Sequence, residues 1–559
     1  MAAEPKAILR RWEELKQLRL PHEAWWRDID DYFTPRRSQV ITRGQGELRD
    51  RRVVEASGMV GVDRLAAMTF GFMINPAMPF VRPDVGSGLI ANGRAADDID
   101  LDGRDYLDGV SWGIHGHLMS AQSGFTVAVP ESLNDWAGKG TGVVWTGRKR
   151  GFGARYQSRS VWSCWIAENE DGEIDTLYYA FALPAWRVMH KWPETAELKS
   201  VKEAAKRGDG AMVNFVMAVE PRIGGMAGNL ALGKPFACAI LLVEDKVIVE
   251  ETGYDSFPYS VPRFSVRPGE VYGYAPPHMC MSDVKMLNAI MEAVVDGAEK
   301  IVDPSVIVPL RAFPKAIDRR RGAVNYYQAA QLGMQRADEA VRPLVTAGDI
   351  NVGVELIREI RRSVEFAFYT DWMRLRESGS MTATEVGDRR DMRLRGMSPI
   401  VSRAERDLMG PLADRTFEIN DQERFFGDPP ESLAGLDLRW GYTGPMALAQ
   451  LQSQRESISL ILAATQQIAQ IDPAAAKIVD IEEAIRVLGD SVGLPPSVLR
   501  TRAAMAEIRE AQEEAERRAR ETEDTAKQAT ALRDGAQAVG TMSNAMRPAN
   551  DMSEMAMAA

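Results

Sequence analysis

Two stretches, SDVKMLNAIMEAVVDGAEKIV over residues 282–302 and DINVGVELIREIRRSVEFAFYTDWMRLR over residues 349–376, decide the fold. In the first, Val284, Leu287, Met291, Val294, Ala298 and Ile301 alternate steps of three and four, a near-heptad apolar stripe. That helix must stop at Asp303-Pro304, because proline supplies no N–H and clashes with the preceding turn. In the second, Val354, Ile357, Ile360, Val364 and Phe368 share one face. Residues 303–348 between them carry prolines at 304, 309, 314 and 343 and the basic run RAFPKAIDRRR, which predicts a small irregular insertion with some strand. Two long helices thus bracket a compact insertion.

Outward from this frame, residues from Pro5 to about Tyr32 place Ile8, Trp12, Leu15 and Leu18 at helical spacing, and Pro35 helps to close the segment. A second helix is expected from about Val60 to Met73. Asn75 to Phe80 is expected to be extended, since two prolines fall within four residues. Between about Phe125 and Glu270 short β-like runs (GTGVVWTG, TLYYAFAL, FACAILLVEDKVIVEE) are broken by Gly, Asp-Gly and Pro turns. The second long helix is expected to reach Arg376. Thr382-Ala383-Thr384-Glu385 opens another helix, expected to end at a Gly396–Pro399 break. The last 120 or so residues read as almost entirely helical, with mixed charge crowded from Ala503 to about Lys527 and a tail, NAMRPANDMSEMAMAA, expected to be disordered. The fold class is α+β, mainly helical.

A chain of 559 residues with 45% hydrophobic residues is long enough for several domains and a substantial core. Its formal net charge of −11 gives no global basic footprint of the kind tight duplex-DNA binders carry, so any contact with DNA is loose or local. Cys164, Cys238 and Cys280 lie far apart in an odd number without a CxxC pair, and read as reduced core residues. The N-terminus lacks the apolar stretch of a signal peptide, and the longest apolar run, Phe236 to Val243, is too short to cross a bilayer. A soluble protein made in a reducing cytoplasm fits these features.

Catalytic motifs are poorly represented. Gly138-Lys139-Gly140-Thr141 superficially suggests a phosphate loop but lacks the GxxxxGK[ST] spacing that wraps N–H groups around phosphates, so it reads as a glycine-rich turn. His115-Gly116-His117 could offer two imidazoles, on a strand or turn, but needs a third ligand, and His22, His190 and His278 are remote in sequence. No cofactor or metal is expected. Trp25-Trp26 and Trp162-Ser163-Cys164-Trp165 suit core or subunit-interface packing better than base stacking. The cations Arg311, Lys315, Arg319, Arg320 and Arg321 stand against Asp318 alone; a solvated loop, a DNA backbone contact and docking to an acidic partner all remain open for them.

The order of these pieces resembles the head-to-tail connector (portal) family of short-tailed double-stranded DNA bacteriophages over nearly the whole chain. The resemblance begins at the Arg- and Trp-rich first helix with its Tyr32-Phe33-Thr34-Pro35 exit. It continues through Asp63-Arg64-Leu65-Ala66-Ala67-Met68 into Asn75-Pro76-Ala77-Met78-Pro79-Phe80, similar to the family's "LAAGL…TSPxxPWF", with Phe80 where Trp-Phe is frequent and Asn75 in place of a common Ser. Gly269-Glu270-Val271-Tyr272-Gly273-Tyr274-Ala275-Pro276 followed by Asp283-Val284-Lys285-Met286-Leu287-Asn288 resembles "GExYGxGP…DIKxLN", the most specific match. Thr382 to Val386 matches "TATEV", and Val479-Asp480-Ile481 to Gly493-Leu494-Pro495 resembles the C-terminal "DxD…xGxP" region.

The resemblance implies a homo-oligomeric ring, usually of twelve subunits, at one capsid vertex of the virion, assembled in the host cytoplasm. It implies a portal-type fold with wing, stem, clip and crown around a central channel for double-stranded DNA. Mapped here, residues 1–277 and 377–440 are wing (the latter with the tunnel loop), 278–302 and 349–376 the stem helices, 303–348 the clip, and 441–559 a helical crown with its tail. Partners implied are terminase, a tail adaptor protein, and the major capsid and scaffolding proteins, with no membrane. DNA must slide, and many fixed phosphate contacts would arrest it, so net negative charge with sparse cations keeps translocation smooth. No ATPase activity is expected of this chain. Arg374 to Met381 is expected to form a loop facing DNA, with Arg374, Arg376, Glu377 and Ser378 at the channel, and Arg311, Lys315, Arg319, Arg320 and Arg321 are expected on the clip surface. Two competing readings stand beside this one: another virion structural or core protein, and a cytoplasmic enzyme with an unrecognised carboxylate site. The first class tends toward long unbroken helices or low complexity, without a mixed wing-like region.

Overall fold

The computed structural model describes residues 4–35, 53–84, 101–208, 210–222, 233–302, 306–307, 326, 342–343, 350–370, 396–433, 439–444, 458–465, 480–492, 500 and 502–545. It is mostly helical with several small sheets. One compact unit comprises residues 1–84, 109–428 and 438–479. Its largest sheet is an antiparallel meander of β4 (Cys164–Glu168), β5 (Ile174–Pro184), β6 (Met212–Pro221), β7 (Phe236–Leu242) and β8 (Val247–Tyr254) in that spatial order. Alternation along β6 explains why both faces are covered. Val213 and Phe215 join Ile240 and Leu242 under the short helices α5 (Ala185–Lys191) and α6 (Lys199–Arg207). Val216 and Ala218 join Trp165, Tyr178 and Ala239 on the other face, against Ile8 and Leu15 of α1 (Pro5–Tyr32). Ile8, Trp12 and Leu15 of the stripe that predicted α1 therefore pack on the sheet, whereas Leu18 is 60% exposed and the buried face continues through Arg19, His22 and Trp26; the helix spans the predicted residues.

Beside this sheet, β2 (Val144–Lys149) lies between β3 (Gly153–Ser158) and β9 (Tyr259–Ser260). The helices α2 (Ser57–Met73), α3 (Leu101–Met119) and α4 (Phe125–Lys139) precede it in the chain, so the strand character expected from Phe125 onward starts only at Val144. Asn75 to Phe80 is not extended: Ala77 N donates to Asn75 Oδ1 in a turn through Pro76-Ala77. An Asx side chain mimicking a turn residue accommodates the first proline where an extended run was expected. β1 (Val81–Asp84), directly downstream, pairs antiparallel with β12 (Arg439–Tyr442).

Both long helices form, the first to its predicted end and the second shorter than expected. α7 (Pro276–Val302) ends at the residue before Asp303-Pro304, and α8 (Ile350–Ala367) lies antiparallel to it, since Asp283 meets Ser363 and Val294 meets Gly353. Ile357, Ile360, Val364 and Phe368 are buried as the stripe requires. Across the foot of the insertion, β10 (Val306–Ile307) pairs with β11 (Arg342–Pro343). The expected extension of the second helix to Arg376 is corrected: it ends at Ala367, and Tyr369 takes φ +57°, the left-handed conformation that terminates helices. The expected break at Gly396–Pro399 is corrected too. Residues 396–404 are helical and the helix runs through Pro399. This helix passes through a π-helical turn, Glu405–Met409, into α9 (Gly410–Gln422). The Thr382 helix start and the tail after residue 545 lie outside the described residues.

A second compact unit, residues 85–108, 429–437 and 480–559, contains α10 (Ile481–Val492) and the 44-residue α11 (Arg502–Ala545). Its described side chains between Arg509 and Arg533 are exposed, in keeping with the mixed charge read there.

Candidate functional site: the root of the helix pair

The antiparallel pair is anchored where α7 enters the α/β body. Asn288 of α7 accepts two backbone N–H groups, Val54 (2.8 Å) and Glu55 (3.0 Å), and donates to Val284 O. Buried Glu55 in turn accepts from Ser57 N and Oγ at the start of α2 and from Arg361 Nε of α8 at 3.0 Å. One carboxylate thereby ties α2 to α8, and one amide ties the chain before α2 to α7. Hydrogen bonds to a charged partner contribute about 1.5–3 kcal/mol each, so the network is a firm root. Lys285 adds an exposed pair with Asp28 of α1 at 2.7 Å, worth little alone. Close packing completes it. An added Cβ at Gly61 would stand 2.6 Å from Phe368, and one at Gly58 2.9 Å from Phe33, while the two rings lie 6.0 Å apart. A cleft of about 230 Å³ opens here, lined by Glu55, Val60, Gly61, Arg64, Glu365 and Phe368 among others.

The two glycine-rich motifs read separately in the sequence meet behind this root. Gly140 caps α4 with φ +84°, and an added Cβ would lie 2.2 Å from Gly273 O. Phe264 N donates to Gly140 O (2.8 Å) and Gly273 N to Thr141 Oγ1 (3.0 Å). Gly138-Lys139-Gly140-Thr141 is thus not wholly the turn expected: Gly138 and Lys139 end α4, and the chain turns at Gly140, locked against the Gly269–Pro276 signature. Lys139 is fully buried, 3.0 Å from Asp30 and 3.4 Å from Asp135. Burial by itself would drive its pKa down, but the two carboxylates more than offset this and leave it raised. Asp30 also accepts from Thr34 Oγ1 and Trp162 Nε1, so the Tyr32–Pro35 exit and the Trp162 segment share one buried charge network. Asp135 and Lys139 stand at the i,i+4 spacing of a helical ion pair, but nothing in the sequence brought Asp30, more than a hundred residues away, to the same lysine.

His115 and His117 lie on a helix, not on a strand or turn. Two residues apart on α3 they point in different directions, His115 Nε2 to Pro76 O (3.2 Å) and His117 Nε2 to Ala154 O (2.8 Å). Burial lowers both pKa values, keeping the rings neutral. Tertiary structure does gather His22 and His278, remote in sequence, around Tyr274 at 5.8 and 5.1 Å. Among the described residues no group of His, Cys, Asp or Glu is placed to hold a metal, and no helix is long and apolar enough to cross a membrane. Trp26, Trp162 and Trp165 are core residues, Trp26 packing edge-on to Trp162 and Tyr272; Trp25 stays half-exposed beside His278. The three cysteines are free and buried, and burial pushes the Cys164 and Cys280 thiols up to about 12. Arg374, Arg376, Glu377 and Ser378, and Arg311, Lys315, Arg319, Arg320 and Arg321, lie outside the described residues.

The root fixes the two long helices with buried and part-buried hydrogen bonds and close packing. The chain is 23% identical over 523 residues to the "Probable portal protein" of Bordetella phage BPP-1, covering 89% of each chain. It is equally 23% identical over 523 residues to the "Portal protein" of Salmonella phage epsilon15, covering 91% of each. Among solved structures, a chain of the virion of the native gene transfer agent particle aligns with TM-score 0.34 and 12% identity, over 78% of this chain and 89% of that one. The model of the bacteriophage head to tail connecting protein family matches residues 5–499, which include every motif discussed above, and the chain belongs to that family.

Proposed function

We propose that this protein is the portal of a short-tailed phage, a ring of identical subunits, twelve in the mature virion, at one capsid vertex, through which double-stranded DNA is packaged and ejected. The single observation that carries this reading is the family match over residues 5–499, and the two relatives named as portal proteins support it. The geometry is compatible with it: an antiparallel helix pair rooted in an α/β body suits a stem, and an insertion closed by β10–β11 suits a clip. In this reading residues 278–302 and the second helix, ending at Ala367, are the stem, 303–348 the clip, the flanking α/β residues the wing, and the C-terminal helices the crown. Terminase docks at the clip and supplies the ATP hydrolysis; a tail adaptor replaces it; capsid and scaffolding proteins surround the wing; assembly takes place in the host cytoplasm.

Negative-stain electron microscopy of the purified chain, with native mass measurement, tests this. Rings with a hole wide enough for duplex DNA and no ATP turnover are expected. A monomer or dimer that persists across salt and concentration would overturn the proposal.

A further inference from the structure

Two hairpins of the first unit carry opposite charge. The β2–β3 tip, residues 148–155 (RKRGFGAR), holds four cations and no carboxylate, and the β4–β5 tip, residues 168–175 (ENEDGEID), holds five carboxylates and no cation. Both tips are braced. Arg148 pairs with Glu423 at 2.7 Å, Asn420 Oδ1 accepts from Ala154 N, and Phe152 packs on His117 with ring centroids 4.9 Å apart. In the acidic tip Asn169 Oδ1 accepts from the N–H groups of Asp171 (3.0 Å) and Glu173 (2.9 Å), and Arg263 holds Glu168 and Gly172 O. Yet Lys149, Arg150 and Arg155 on one, and Glu170, Asp171 and Glu173 on the other, are exposed and make no ion pair with any described residue. Rigid tips with unpaired like charges repel themselves and lose little entropy on docking to an opposite tip.

The two tips do not satisfy each other within one chain. Arg263, which holds the acidic tip, lies 3.9 Å from Asp407 in the π turn before α9. The basic tip is held by Asn420 and Glu423 at the far end of the same helix. Thirteen residues separate Asp407 from Asn420, roughly 20 Å at about 1.5 Å per residue. A surface that is basic at one end of a rigid element and acidic at the other is self-complementary head to tail, the arrangement that closes into rings.

We infer that the β2–β3 tip of one subunit docks on the β4–β5 tip of its neighbour, so that Lys149, Arg150 and Arg155 face Glu170, Asp171 and Glu173 of a second copy. This rests on the ring reading and adds the surface by which subunits find their order. The contact is exposed and charge-driven, so it sets assembly rate and salt dependence more than final stability.

The test uses two full-length triple variants, Lys149→Glu/Arg150→Glu/Arg155→Glu and Glu170→Lys/Asp171→Lys/Glu173→Lys. Sedimentation velocity and native mass are read at about 0.15 M salt, where the Debye length is about 8 Å. Each variant alone, folded as judged by circular dichroism, is expected to lose at least tenfold in its ring fraction. An equimolar mixture is expected to regain rings containing both, because every hairpin then meets its opposite. If each variant assembles alone like the wild type, the contact is wrong while the ring reading stands. If the mixture does not recover, the contact is equally overturned. If the basic-tip variant keeps its rings but loses retention of duplex DNA, the tip serves nucleic acid instead. A wild-type chain that never forms rings removes both readings.

Discussion

Lys139 shows how a single side chain can be misleading in sequence and decisive in structure. Set between Asp30 and Asp135 with no access to solvent, it balances two carboxylates that bind the end of α1 to α4. Removing one partner of a buried pair strands the other, so Lys139→Met should cost about 3–5 kcal/mol, read as a lowered urea midpoint at an unchanged slope. Glu405 offers a pH test. It lies in the π turn, and burial raises its carboxyl to about 7. Unfolded, it ionises near the ordinary 4.5, so between these values the folded state holds a proton that the unfolded state has lost. Its contribution is fullest below about pH 4.5 and falls away as pH rises toward 7. The buried His22 and His115 and the half-buried His117 and His278 work oppositely, since desolvation lowers each and their contribution is lost as pH falls below about 6.5. Comparing wild type with Glu405→Gln isolates the carboxyl. The variant should be the more stable at pH 7.5 by on the order of 1 kcal/mol, discounted for residual solvent, with the difference gone near pH 5.

At the scale of elements, α7 and α8 were legible because a 3.6-residue period with an apolar face has one economical packing, against another such face. Their starts and stops followed local chemistry where that chemistry was strong, as at Asp303-Pro304. The end of α8 did not. No glycine or proline marks Ala367, and the helix stops because Phe368 must turn into the pocket beside Gly61 while Tyr369 takes a left-handed conformation. Phe368→Ala should therefore loosen the root of the pair as well as empty it. A loss of about 3–5 kcal/mol is expected, with hydrogen exchange rising first in α2 and the last turns of α8.

Over the whole molecule, the proposed portal role places Arg374 and Arg376 on a loop that meets DNA in transit. Replacing both with alanine should leave ring mass unchanged while altering DNA packaging or retention in particles; failure of ring assembly would remove that assignment. The sequence by itself determined the helix pair, the place of the insertion, the extent of α1, the mixed β region and the family, because periodicity and ordered motifs are local properties of the chain. Tertiary structure alone decided that Gly140 abuts Gly273, that Lys139 is an internal counter-ion, that Asn288 and Glu55 root the helices, and that the basic and acidic hairpins stand at opposite ends of one helix. These are pairings between residues up to hundreds of positions apart, and polar residues of the same kinds occur throughout the chain. Their role comes from desolvation and proximity, which exist only once the chain has folded.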